Sequence, residues 1–148
     1  MHRLPGRYRA VVFDMDGLLL DTERLWQRAE TRLLARYGYS FTDADALASN
    51  TPRDLVDFAL DTAGIRDAFD VVVSAQDVAR PKPAPDIYLA ACVGLGVAPR
   101  DALALEDSPA GVLAARAAGL DVIAVPLSAE IDVSAAHEVL DSLERLLE

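Results

Sequence analysis

The sequence holds one cysteine, one tryptophan, two methionines and two histidines, and aromatic residues fill 6% of its 148 positions. A lone thiol, Cys92, has no intrachain partner, so packing must hold the fold without disulfides. A reducing, cytoplasmic setting is expected. Basic residues are also scarce: 14 Lys and Arg stand against 24 Asp and Glu, for a formal net charge of −10. A chain of that sign does not neutralise nucleic-acid phosphates, which excludes DNA and RNA as partners. No apolar run approaches the roughly 20 residues of a membrane span. The N-terminal MHRLPGRYRA is basic but has no apolar core, so it is not read as a signal peptide. Neither histidine sits in a metal-binding or catalytic motif.

Hydrophobic residues make up 52% of the chain, enough for a buried core in one domain of ordinary size. The first strand candidate is Ala10–Asp14, a continuous apolar run that suits a strand buried on both faces of a parallel sheet. A helix is expected from Thr22 to Tyr37, capped at Asp21-Thr22 and stopped by Gly38, with Leu25, Trp26, Ala29, Leu33 and Tyr37 on one face. Ala46–Ser49 reads as a strand, and Pro52 as the first residue of a helix that Gly64 stops. Val71–Val73 reads as a central strand. Arg80–Pro85, RPKPAP, reads as an ordered loop, and Asp86 opens a helix that ends near Gly94–Gly96, with Cys92 in its core face. Ala102–Leu105 and Val122–Val125 are further strands, separated by an Ala-rich helix from Pro109 to Gly119. Val139-Leu140 reads as a short edge strand, followed by a last helix to Leu147. Strands that alternate with helices predict an α/β fold with a mainly parallel sheet and helices on both faces.

In such sheets ligands bind beyond the carboxyl ends of the strands. The polar residues fall at those ends: Asp14 and Asp16 after the first strand, Ser49 and Asn50 after the second, Lys82 in the proline-rich loop, and Glu106-Asp107 after a later strand. Two carboxylate clusters suit a hard cation such as Mg²⁺. A lysine, a hydroxyl and the N–H groups of Asn50 and Thr51 at a helix start suit phosphate oxygens.

With those residues in order, the chain resembles the haloacid dehalogenase superfamily, in the phosphatase branch related to β-phosphoglucomutase. The first motif matches as Asp14-Met15-Asp16-Gly17 and the second as Ser49-Asn50. The third matches as Lys82 within KPAPD, and the fourth as Glu106-Asp107-Ser108 with Gly111 and Ala117-Ala118-Gly119. The resemblance implies a Rossmann-like three-layer sandwich and a Mg²⁺-dependent phosphohydrolase acting on a small phosphorylated metabolite. It implies Asp14 as nucleophile and metal ligand, and Asp16 as general acid/base with its carbonyl on the metal. Ser49, Asn50 and Lys82 would bind phosphate, and Asp107 and Glu106 would serve the metal.

One departure stands out: only 27 residues separate Asp21 from Ser49, where relatives of that branch carry a helical cap domain. The expected organisation is one core domain, 1–148, with 22–45 the remnant of the cap or crossover insert and the cap reduced to one helix. That helix either crosses from the first strand to the second against the sheet, or projects and offers its apolar stripe to a homodimer through 22–37. A sugar phosphomutase of the same family is an alternative, though one lacking the cap that would reorient a bisphosphate. A non-catalytic phosphate-binding relict is another.

Overall fold

The computed structural model describes residues 8–15, 44–142 and 145. Six parallel strands form one sheet in the order β3-β2-β1-β4-β5-β6. They are β1 (Ala10–Asp14), β2 (Asp45–Ser49), β3 (Val71–Ser74), β4 (Ala102–Glu106), β5 (Asp121–Ala124) and β6 (Glu138–Val139). Among the described residues three α-helices join successive strands: α1 (Arg53–Ala63), α2 (Asp86–Leu95) and α3 (Pro109–Ala118). The expected helix over 22–37 and the residues of the last helix beyond Ser142, Arg145 apart, lie outside the described residues.

Strand alternation sorts the core by size. On one face Val11, Phe13, Leu47, Leu103 and Leu105 pack against Val56 and Leu60 of α1. On the other, Val12, Ala46, Ala48, Ala102, Ala104 and Ala124 meet Ile87, Tyr88, Ala91 and Cys92 of α2 and Val112, Ala114 and Ala115 of α3. The alanines let α2 and α3 approach closely, and a Cβ at Gly94 would stand 2.9 Å from a Val71 methyl. The helices take opposite faces because the chain moves outward from β2 to β3 and then back past β1 to β4. Right-handed crossovers in opposite directions fall on opposite sides.

Four expectations change, one of them the last strand, which lies at Glu138–Val139 and not at Val139-Leu140. Val71–Val73 lies in an edge strand of this sheet, not a central one, because β-branched runs report a half-buried pleated surface and not a place in the strand order. Pro52 is the residue that caps α1, with extended ψ of 146°, and the helix begins one residue later. The fifth strand starts at Asp121, one residue before the apolar run, and ends at Ala124.

Candidate active site

The order of strands reverses at β1, which has β2 on one side and β4 on the other. This is the switch point where crevices open beyond the carboxyl ends of a parallel sheet. Asp14 ends β1, Ser49 ends β2 and Glu106 ends β4, with Asp107 next; all four are buried. Asp16 lies outside the described residues.

Lys82 comes to this point from the loop after β3. Several contacts order that loop. Ser74 and Asp77 cap its first turn reciprocally, and Arg53 of α1 donates to the Val72 carbonyl at 2.9 Å and to Asp77. Arg80 grips Asp86 with two hydrogen bonds, at 2.8 and 3.2 Å, and closes the proline-rich segment onto the start of α2. The Lys82–Pro83 peptide is cis. Lys82 is the only lysine in the chain, and its side chain is 1% exposed. Its ammonium donates to Asp14 Oδ1 at 2.7 Å, to Glu106 Oε1 at 2.8 Å and to the Ala48 carbonyl at 3.0 Å.

Asn50 has a contact that the sequence reading did not foresee. Its side chain clasps the Lys82 backbone, accepting from the Lys82 N–H at 2.9 Å and donating to the Lys82 carbonyl at 3.3 Å. Any phosphate contact from Asn50 therefore falls to its backbone N–H. Ser49 Oγ accepts from the Thr51 N–H at 3.1 Å, which shapes the turn leading into α1.

Glu106 is fully buried. Its Oε1 accepts from Lys82 and from the Tyr88 hydroxyl, and its Oε2 from the Asp107 N–H and Ser108 Oγ, each at 3.3 Å. Ser108 Oγ also caps α3 by accepting from the Gly111 N–H at 3.1 Å. Gly111 is required here, because a Cβ at that position would stand 2.0 Å from the Glu106 carboxyl atoms. Tyr88 is a site residue that sequence reasoning missed. Burial pushes its phenol well above the ordinary value of 10.0, with the Glu106 charge adding to the rise, so it stays a donor.

One carboxylate oxygen from each of Asp14, Glu106 and Asp107 falls within 4.8 Å of the others. With all three ionised and Lys82 the counter-charge, the cluster carries two net negative charges. Buried charge of that size calls for neutralisation. An all-oxygen donor set of this kind suits one hard divalent cation.

The fold and the site together define an α/β enzyme whose acid–lysine centre sits at the switch point of a parallel sheet. The family model for haloacid dehalogenase-like hydrolase matches residues 46–119. Fructose-1-phosphate phosphatase YqaB of Escherichia coli (strain K12) is 30% identical over 184 residues, covering 82% of this chain and 98% of the relative. Validoxylamine A 7'-phosphate phosphatase of Streptomyces hygroscopicus subsp. limoneus is 27% identical over 197 residues, covering 90% of this chain and 92% of the relative. Among solved structures, CbbY from Rhodobacter sphaeroides in complex with phosphate superposes with a TM-score of 0.70 at 26% identity, covering 91% of this chain and 94% of that one. This chain therefore belongs to the haloacid dehalogenase-like hydrolase family. The aligned spans of 184 and 197 residues exceed the 148 of this chain, so both relatives carry internal residues with no counterpart here. No helix among the described residues is long and apolar enough to cross a membrane.

Proposed function

We propose that this chain is a Mg²⁺-dependent phosphohydrolase that cleaves a small phosphomonoester through an aspartyl-phosphate on Asp14. The observation that carries the reading is the buried contact of Lys82 with both Asp14 and Glu106, at 2.7 and 2.8 Å, beside Asp107. A lysine fixed this way holds the Asp14 carboxylate in one orientation and places positive charge where phosphoryl oxygens would arrive. An Asp14 oxygen attacks phosphorus, the bond to the leaving alkoxide breaks, and water then cleaves the acyl phosphate. Asp16 gives the leaving oxygen its proton and later takes one from water, a role carried by the family motif. Ser49 Oγ and the Asn50 N–H receive phosphoryl oxygens together with Lys82. Asp14 and Asp107 would hold Mg²⁺ directly. Glu106, whose oxygens already take four donors, supports the shell from behind. The cation would supply charge neutralisation on the transferring group.

A sugar phosphate is the preferred substrate class, since relatives named as fructose-1-phosphate and hexitol phosphatases support it. The same proposal treats 1–148 as one core domain and places the protein in the cytoplasm; the insert expected over 22–45 stops short of Asp45, which begins β2. The segment 22–37 is proposed first as the crossover from β1 to β2; its rival role, an apolar stripe that forms a homodimer, is decided by sedimentation. The functional test is phosphate release from a panel of sugar and nucleotide monoesters, with Mg²⁺ and then with a chelator. Turnover with Mg²⁺ that the chelator stops supports the reading, and a panel with no turnover defeats it.

A further inference from the structure

We propose that Tyr88 is a positioning residue for Lys82, acting through Glu106. The inference rests on the phosphohydrolase reading of the site and adds a residue which that reading leaves out.

Tyr88 lies in the first turn of α2 and is fully buried. Its hydroxyl donates to Glu106 Oε1, the oxygen that also accepts from Lys82 Nζ. The Lys82 ammonium lies 5.1 Å from the Tyr88 ring centroid, within reach of the ring's negative face. Phenol and ammonium therefore converge on one carboxylate oxygen, and the ring contacts the same cation.

Apart from Lys82 itself, at 2.8 Å on Oε1, the remaining donors to Glu106 are distant. Both donors to Oε2 stand at 3.3 Å, near the long limit for a hydrogen bond. Gly111 leaves the carboxyl group its space but gives no side-chain bond to direct it. The last torsion of a glutamate is broad, so without Tyr88 the carboxylate and the mobile ammonium it holds can turn together, with only the long Oε2 bonds to orient them. Tyr88 is the neutral donor that fixes the turn. Glu106 Oε1 then draws Lys82 Nζ to the point from which it reaches Asp14 Oδ1 at 2.7 Å. A phenylalanine would fill the same apolar space against the sheet without burying a hydroxyl. A buried hydroxyl costs free energy unless it is bonded, and here its partner is the lysine's anchor.

A filler residue that happens to satisfy its hydroxyl makes a different prediction. The experiment uses the fact that Lys82 is the only lysine. Protein grown on lysine labelled with ¹⁵N at the side chain gives one Nζ resonance. In Tyr88→Phe the proposal predicts that this resonance shifts and its hydrogens exchange faster with solvent. It also predicts that kcat on p-nitrophenyl phosphate falls about tenfold, the scale of one hydrogen bond to a charged group, with KM little changed. The further loss on adding Tyr88→Phe to Glu106→Gln is small, because the link is already cut. An unchanged Nζ resonance in Tyr88→Phe overturns the proposal, and so does an unchanged kcat. If the wild-type protein hydrolyses no phosphomonoester, the functional reading fails by itself, and the Nζ resonance alone decides the role of Tyr88.

Discussion

Lys82 Nζ stands 2.7 Å from Asp14 Oδ1, across 68 positions of sequence. The contact joins the end of β1 to the loop after β3, and both side chains are almost wholly buried. Opposite charges at that depth are stable together and costly apart. The site's geometry therefore depends on one ammonium.

Replacing that ammonium tests the dependence. In Lys82→Met, Asp14 and Glu106 lose their shared cation, and stability is expected to fall by about 3–5 kcal/mol. Urea unfolding at neutral pH in the presence of a chelator measures it. A loss under about 1 kcal/mol, as for an exposed pair, would mean that the lysine is solvated.

Gly111→Ala sets helix propensity against space. Alanine in a helix interior is favoured over glycine by about 1 kcal/mol. The added Cβ would meet the Glu106 carboxyl atoms at 2.0 Å, and overpacking of a tight site costs about 1–3 kcal/mol. The unfolding midpoint and phosphatase activity should both fall, because Glu106 must move and Lys82 follows it. Gly96→Ala is the contrast. Its φ of 67° makes a side chain strained, but nothing lies within 4 Å, so stability drops and activity stays.

The acid cluster predicts linkage to a divalent ion. Mg²⁺ at a hundredfold excess over its dissociation constant should stabilise the fold by about 2.7 kcal/mol, reversed by chelator. In Asp107→Asn, which removes one of the three carboxylates within 4.8 Å, most of that shift should vanish in thermal unfolding. A full shift in the variant would place the ion elsewhere.

Cys92 gives a pH prediction. Burial pushes its thiol up to about 11, from an ordinary value of 9.0. A raised folded value means that the neutral thiol is favoured in the native state. That contribution to stability is complete below pH 9 and is lost as pH rises toward 11. At pH 8 the native thiol should resist an aromatic disulfide reagent and react promptly in urea. The alkaline fall in stability should be shallower in Cys92→Ala than in the wild type.

Much of the fold was legible because strands buried on both faces read as unbroken apolar runs: AVVFD, ALAS and ALAL each stand out from their surroundings. The site was legible as residue types at strand ends. What stayed hidden were contacts between distant positions. Asn50 was legible for its backbone N–H at a helix start, but not for its side chain, which holds the backbone of Lys82, 32 positions away. Tyr88 lies in an apolar helix with no motif to mark it, and nothing in the linear sequence shows that its hydroxyl meets Glu106. Gly111 was visible as part of a motif, but its reason, the carboxylate lying against it, is a packing fact. The VVV triplet of β3 told of burial and could not tell of order in the sheet.

The most direct test of the account is Asp14→Asn compared with wild type on p-nitrophenyl phosphate and Mg²⁺. An amide at this position keeps the shape but is a poor nucleophile and a weak metal ligand. The account predicts measurable turnover by the wild type and a loss of at least about a thousandfold in the variant, the scale expected when a covalent nucleophile is removed. A variant that keeps more than a tenth of the wild-type rate would contradict it.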